Sequence, residues 1–383
     1  MSEAALPESD RAEGAPHPRG TRHLMGQGAA EAAFLDAHTT GRLHHAWMLT
    51  GPRGVGKATL AWRIARFLLT HQERMEDGLF GAPPPPESLD VDPDHPVARR
   101  VLALSEPGLF LLRRGGAGRT ESEREKARQE GRFSNDVRVD EVRELAKFVH
   151  FSAADGGPRV VIVDAADELN AQAANALLKM LEEPPARTVM LLVAHQPSGL
   201  LPTIRSRCRM LRLGPLGPAD MARALDQAGI APGADPAVLA ELSAGSVGAA
   251  VRLVTLEGAA LYAEIVALME GLPRPDRTRA IRLAEAVAQR GAEARRDLLF
   301  SLFELFLARL ARTGATGAPP AIEATPGEAA LMARLAPDPG RARLWAQVAE
   351  ESGARARHGL AVNLDPVSLV LDTVHRIQQT AGG

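Results

Sequence analysis

One cysteine, Cys208, stands among 383 residues. A single thiol excludes an intramolecular disulfide and any zinc site built from several cysteines. His44 and His45 have no carboxylate or cysteine cluster beside them, so no metal site is expected. Lysine is nearly as scarce, four residues among 45 basic ones, which makes each lysine informative, and one of them is Lys57. The scattered arginines read as a GC-rich coding bias rather than as a binding patch. Long apolar runs are missing too. The richest stretch, Leu298 to Leu310, is broken by Glu304 and Arg309, short of the roughly 20 residues a membrane helix needs. The first residues carry no apolar segment of the kind that directs secretion. A soluble, cytoplasmic chain without membrane partners is expected. Net charge is also small, −2, which excludes the basic profile of a protein that coats DNA. What remains, 45% hydrophobic and 24% charged residues, is enough for a packed core, and the length fits two or three domains.

Residues 1–20 are polar, rich in Pro and Gly and without periodicity, and read as a flexible tail. Ala46-Trp47-Met48-Leu49-Thr50 has the length of a buried strand and runs directly into Gly51-Pro52-Arg53-Gly54-Val55-Gly56-Lys57. Leu60, Ile64, Phe67 and Leu68 then mark one face of a helix. Between about 70 and 135 the pattern degrades into a proline-rich, charged insertion. Pro83 to Pro86 reads as an extended spacer, and Arg113 to Arg132 as a solvated loop or exposed helix, because acids interleave with its bases. Order returns with Val139 to Leu145 and with Arg159-Val160-Val161-Ile162-Val163-Asp164, a buried parallel strand ending in a carboxylate. Ala174, Leu177, Leu178 and Leu181 predict a helix stopped by Pro184-Pro185, and Val189 to Ala194 predicts another buried strand. Strand–helix alternation of this kind specifies an α/β layer. Beyond Gly214 only helical segments follow, near 217–228, 235–243, 247–270, 276–290, 294–312, 326–336, 340–352 and 364–378. The fold class is α/β followed by all-α.

A Gly-x-x-x-x-Gly-Lys loop between strand and helix cradles phosphate through successive backbone N–H groups, with the lysine adding positive charge. Gly51, Arg53, Gly54, Val55, Gly56, Lys57, Ala58, Thr59 and Asp164 are therefore the candidate nucleotide-binding residues. The residue after the lysine should carry a hydroxyl for Mg²⁺. Ala58 occupies that position, and Thr59 lies about 100° further round the helix, so magnesium coordination is not supported. Asp164 fits the strand-end aspartate of such a site. Ala165 stands where a water-orienting glutamate would follow, and a methyl group cannot polarise water. Asp167 and Glu168 read as acids at the start of the next helix, with a displaced catalytic base as the alternative. For Arg207 the ordinary reading is a pair with a local carboxylate.

GPRGVGKAT, VVIVDAADELNAQAANALLKMLEEPP and TIRSRC together resemble the bacterial clamp-loader AAA+ proteins of the delta-prime type, from about Leu24 to Leu213. Ala361 to Pro366 resembles the family's last collar helix. The resemblance implies an AAA+ P-loop core over 21–214, a small helical lid over 215–262 and a helical collar over 263–383. It further implies a hetero-oligomer with tau/gamma and delta subunits that loads a sliding clamp onto primed DNA. In that family Ser206-Arg207-Cys208 presents Arg207 to the nucleotide of the neighbouring subunit, where fixed positive charge meets developing phosphate charge, an effect worth roughly 10³–10⁵ in rate in other systems. Gly248, within Gly245 to Ala250, stands where the family's ATP-sensing arginine would be. Loss of cis groups with Arg207 retained implies little or no hydrolysis by this chain, while Lys57 leaves ATP or ADP open as a structural ligand. The four-cysteine zinc module of many relatives is absent. A self-sufficient ATPase of tau/gamma motor or helicase-loading type is the alternative, and it would need Thr59 and Asp167 or Glu168 to replace the missing groups. A small-molecule phosphoryl-transfer enzyme is the third reading, without a visible acceptor pocket.

Overall fold

The computed structural model describes residues 7–11, 14–71, 85–151 and 157–382. The spacer reading of Pro83 and Pro84 lies outside the described residues. The chain forms two compact units, one of residues up to Leu216 together with Ser246–Gly248, the other of Gly217–Gly245 and Ala249 onward.

The first unit is built on a parallel sheet of β1 (Ala46–Thr50), β2 (Leu109–Arg113), β3 (Arg159–Asp164), β4 (Thr188–Ala194) and β5 (Arg209–Arg212), in the order β2-β3-β4-β1-β5. The central strands are apolar at nearly every position because both faces are covered. On one face lie α5 (Val139–Phe151) and α6 (Ala171–Glu182), whose Val142, Leu145, Leu177 and Leu181 pack with Val161, Val163, Met190 and Leu192. On the other, α2 (Lys57–Thr70) buries Leu60, Ile64 and Phe67 against the sheet. Also in this unit are α1 (Gly28–Thr39), α3 (Pro96–Leu102), α4 (Glu121–Gln129) and α7 (Pro202–Arg205). The charged 113–132 stretch thus contains an exposed helix, α4, opened by a capping box between Thr120 and Glu123.

The described part of residues 7–20 is tied down at the tip of β2. Arg113 pairs with Asp10 and, at 3.1 Å, with Glu8; Arg19 also pairs with Glu8, and His17 Nε2 lies 3.1 Å from Asp10. Ser9 Oγ donates to the Arg114 carbonyl at 3.0 Å, and the Asp10 carboxylate is fully covered. The expectation of a flexible tail rested on missing apolar periodicity, and this segment is held by ion pairs instead. Glu8, Asp10 and His17 offer ligand atoms within 4.8 Å of one another, but Arg19 and Arg113 already supply the positive charge that a cation would.

The second unit is helical throughout: α8 (Pro218–Gln227), α9 (Pro236–Leu242), α10 (Val247–Thr255, whose first two residues belong to the other unit), α11 (Gly258–Glu270), α12 (Arg277–Ala288), α13 (Glu293–Thr316), α14 (Glu328–Leu335), α15 (Pro339–Ala361) and α16 (Pro366–Gly382). The helix expected over 247–270 is two, separated at Glu257, which has φ 55°. The stripe Leu299, Leu302, Phe303, Phe306 and Leu310 is buried in α13, as its spacing predicts. No single helix among the described residues is long and apolar enough to cross a membrane.

Candidate functional site

The phosphate-loop pattern sits where its chemistry requires. Gly51 to Gly56 joins the tip of β1 to the N-terminus of α2, so the first backbone N–H groups of the helix face the loop. Two glycines are obligatory. Gly51 has φ 144°, and a Cβ there would lie 2.3 Å from the Leu213 carbonyl oxygen; Gly54 has φ 75°, and a Cβ would lie 2.2 Å from Ser246 Oγ. The Val247 N–H donates to the Gly54 carbonyl at 2.9 Å, so Ser246–Gly248 lies against the loop, Gly248 included. Gln27, buried, donates to the carbonyls of Val55 (3.2 Å) and Gly214 (2.8 Å) and accepts from the Gly214 N–H (3.1 Å). It fastens the loop to the segment after β5. Sequence reading missed it, because its partners lie up to 187 residues away.

Lys57 is buried, and its ammonium turns back on its own loop, donating to the carbonyls of Gly51 (2.7 Å) and Pro52. Burial lowers its pKa to about 8, against the opposing pull of Asp164 and Asp167. Asp164 ends β3 in register with Arg113 of β2. Burial, reinforced by the negative charges of Asp10 and Glu168, raises its pKa to about 7. β4 lies between β1 and β3 and runs into His195. Burial, with Lys57 nearby, lowers the pKa of that imidazole to about 4, so it is neutral at pH 7. Its Nδ1 is buried with no hydrogen-bond partner. His195 is the second residue that sequence reading missed. The available signal was a polar side chain directly after an apolar strand.

Asp167 and Glu168 do not cap the following helix. Asn170 does, accepting from the Ala173 N–H at 2.9 Å. The Asp167 carboxylate accepts from the backbone N–H groups of His195 (3.1 Å) and Gln196 (2.8 Å), tying the β3 tip to the β4 tip. Glu168 is shared between Arg53 of the loop (2.8 Å) and Arg114 (2.9 Å). Both acids are engaged by tertiary partners that sequence spacing could not reveal.

Ser206, Arg207 and Cys208 lie between α7 and the start of the edge strand β5, which pairs in parallel with β1, whereas the phosphate loop follows the end of β1. Arg207 Nη2 is 2.8 Å from Glu182 Oε1, and Nη1 donates to the Thr203 carbonyl at 3.0 Å. The local carboxylate that is the ordinary partner of such an arginine is thus present. Both side chains stay partly exposed, 37% and 44%. Burial raises the Cys208 thiol to about 12, so it is inert at neutral pH. His44 and His45 stack on each other; the Ala46 N–H donates to His44 Nδ1, and His45 Nε2 lies 3.2 Å from the Leu181 carbonyl. They are packing residues.

Fitting a nucleotide phosphate to this site, the loop amides supply donors of the right kind, and Lys57 supplies positive charge once it leaves the Gly51 and Pro52 carbonyls. Ala58 supplies no metal ligand, and Ala165 no base.

Residues 26–217 match the family model described as DNA polymerase III, delta subunit. The chain belongs to that family. It is 38% identical to the delta' subunit of DNA polymerase III from Pseudomonas aeruginosa over 164 residues, 43% of this chain and 41% of that protein. To the Escherichia coli delta' subunit it is 33% identical over 221 residues, 57% of each chain. A gamma subunit from Buchnera aphidicola is 28% identical over 208 residues, 53% of this chain and 47% of that one. The chain therefore spans about half the length of the curated relatives it matches. Among solved structures, a DNA polymerase III gamma subunit-related protein of Thermotoga maritima covers 90% of this chain at 15% identity, with a TM-score of 0.38, too low to carry an argument. The delta-prime resemblance is borne out at the level of family, and so is the fold class, an α/β P-loop core followed by helices.

Proposed function

We propose that this member of the DNA polymerase III clamp-loader family acts as a delta-prime-type subunit. It assembles with tau/gamma and delta subunits into a cytoplasmic hetero-oligomer that places a sliding clamp on primed DNA, and it presents Arg207 to a neighbour's ATP. It hydrolyses little or no ATP itself. One contrast carries this reading: Arg207 is accessible beside an edge strand, while the chain's own loop lacks hydrolytic groups and spends Lys57 on its own carbonyls. ATP or ADP held at Gly51–Thr59 and Asp164 is a structural ligand in this scheme, and magnesium has no loop hydroxyl to bind. The division into a core, a lid over 215–262 and a collar over 263–383 belongs to the same proposal. The rival, a self-sufficient ATPase, needs Asp167 or Glu168 as base, and both are held by other partners.

Steady-state ATP turnover tests the reading. The chain alone is expected to be nearly silent. Mixed with motor and delta subunits, clamp and primed DNA, it is expected to support turnover at the neighbouring site that Arg207→Ala lowers by roughly 10³-fold or more, as a trans arginine does elsewhere. Brisk turnover by the chain alone, abolished by Lys57→Ala, would instead make it a motor.

A further inference from the structure

We infer that Glu182 is a positioning residue for Arg207, presetting the guanidinium in the orientation from which it meets a neighbouring subunit's nucleotide. The inference rests on the trans-arginine reading above and extends it to a residue outside the Ser-Arg-Cys run. Glu182 is the last residue of α6, a helix anchored in the core by Ala173, Leu177 and Leu181. Glu183 follows, and Pro184-Pro185 then prevents the helix from continuing, so the backbone that carries Glu182 stands at a fixed helix end.

Arg207 comes from a different element, after α7, and is held at two points: Nη2 by Glu182 at 2.8 Å and Nη1 by the Thr203 carbonyl at 3.0 Å. A guanidinium has five donors, so two anchors fix its plane and leave others for an incoming phosphate. An arginine loses rotamer freedom when it is fixed, and a contact made before encounter removes that loss from the reacting complex. Partial exposure keeps the pair weak, so the carboxylate orients the arginine without trapping it. Arg205, Arg209 and Arg212 of the same run have no ion pair among the described residues, and Arg209 lies instead over the Trp47 ring at 5.1 Å; the motif arginine is the one that a carboxylate holds.

The test is ATP turnover in the full mixture of this chain with motor and delta subunits, clamp and primed DNA. Glu182→Ala is expected to lower kcat about two- to fivefold, the range of an exposed ion pair, with KM for ATP unchanged. Glu182→Gln, which keeps the shape and one acceptor, falls between Glu182→Ala and the unsubstituted chain. In an Arg207→Ala background, Glu182→Ala has no further effect. Turnover unchanged or faster in Glu182→Ala overturns the inference, as does the same loss in the Arg207→Ala background or a fall in Tm that parallels the lost rate. If Arg207→Ala alone leaves turnover intact, the trans-arginine reading itself fails, so the two failures are distinguishable.

Discussion

A carboxyl group at the tip of a buried strand, with Asp10 and Glu168 close by, keeps its proton more tightly than it would in the unfolded chain. For Asp164 the folded pKa is about 7 against an ordinary 3.8. The native state therefore binds the extra proton, and the associated stability is fully present below pH 3.8 and lost as the pH rises through about 7. An asparagine there has no charge to bury. Asp164→Asn should accordingly gain on the unsubstituted protein as pH increases, by about 2 kcal/mol between pH 5 and pH 8. Thermal melts of both proteins at the two pH values check this, and a constant difference in Tm would contradict the assignment. The positions of Lys57 and Asp164 at a strand-end loop and a strand tip were legible in the sequence because the strand–loop–helix pattern places them there, whereas Arg207 was marked by the family resemblance alone. Gln27, His195, Glu182 and the Arg53–Glu168–Arg114 linkage were not. Their roles depend on partners brought together only by the sheet order.

Periodicity located elements where burial is one-sided or complete, and failed where it is slight. β5 buries Leu211 and exposes its other three residues, so an edge strand passed unseen beside a motif that was recognised. β2 was hidden by the charged run that begins at its last residue, and α1 by small residues that blur its apolar face. Residues 7–20 show the same limit, since ion pairs leave no hydrophobic period. Arg113 carries that contact, bridging Glu8 and Asp10. Arg113→Ala is expected to release the segment, with trypsin cleaving after Arg11 or Arg19 several-fold faster while the helix content by circular dichroism stays unchanged. Cleavage at the original rate would show that the remaining contacts, such as Ser9 to Arg114 and His17 against Trp62, suffice alone.

At the scale of the whole molecule, the all-helical second unit depends on a buried charge network as well as on apolar packing. Glu328, with no exposed surface, accepts from Tyr262 Oη (2.5 Å), Arg309 Nε (2.9 Å) and the Ala324 N–H (2.7 Å), and Arg309 Nη1 reaches Glu241 at 2.6 Å. Burial and Glu328 together push the Tyr262 hydroxyl above its ordinary range. The network joins α9, α11, α13 and α14. Glu328→Ala removes the fully buried partner of the Arg309 guanidinium, leaving Glu241 as its one carboxylate, and should cost about 3 kcal/mol, visible as a lower midpoint in denaturant unfolding, whereas Glu328→Leu with Arg309→Met should recover most of the loss. The sequence marked Arg309 only as an interruption of an apolar run, because a buried ion pair has no local signature. The single thiol, Cys208, has a consequence for the molecule as a reagent. Burial holds its thiol protonated at neutral pH, so maleimide dyes are expected to label it far more slowly than an exposed cysteine. A cysteine introduced at any exposed position becomes the one labelled atom in the chain, with no native residue to remove first.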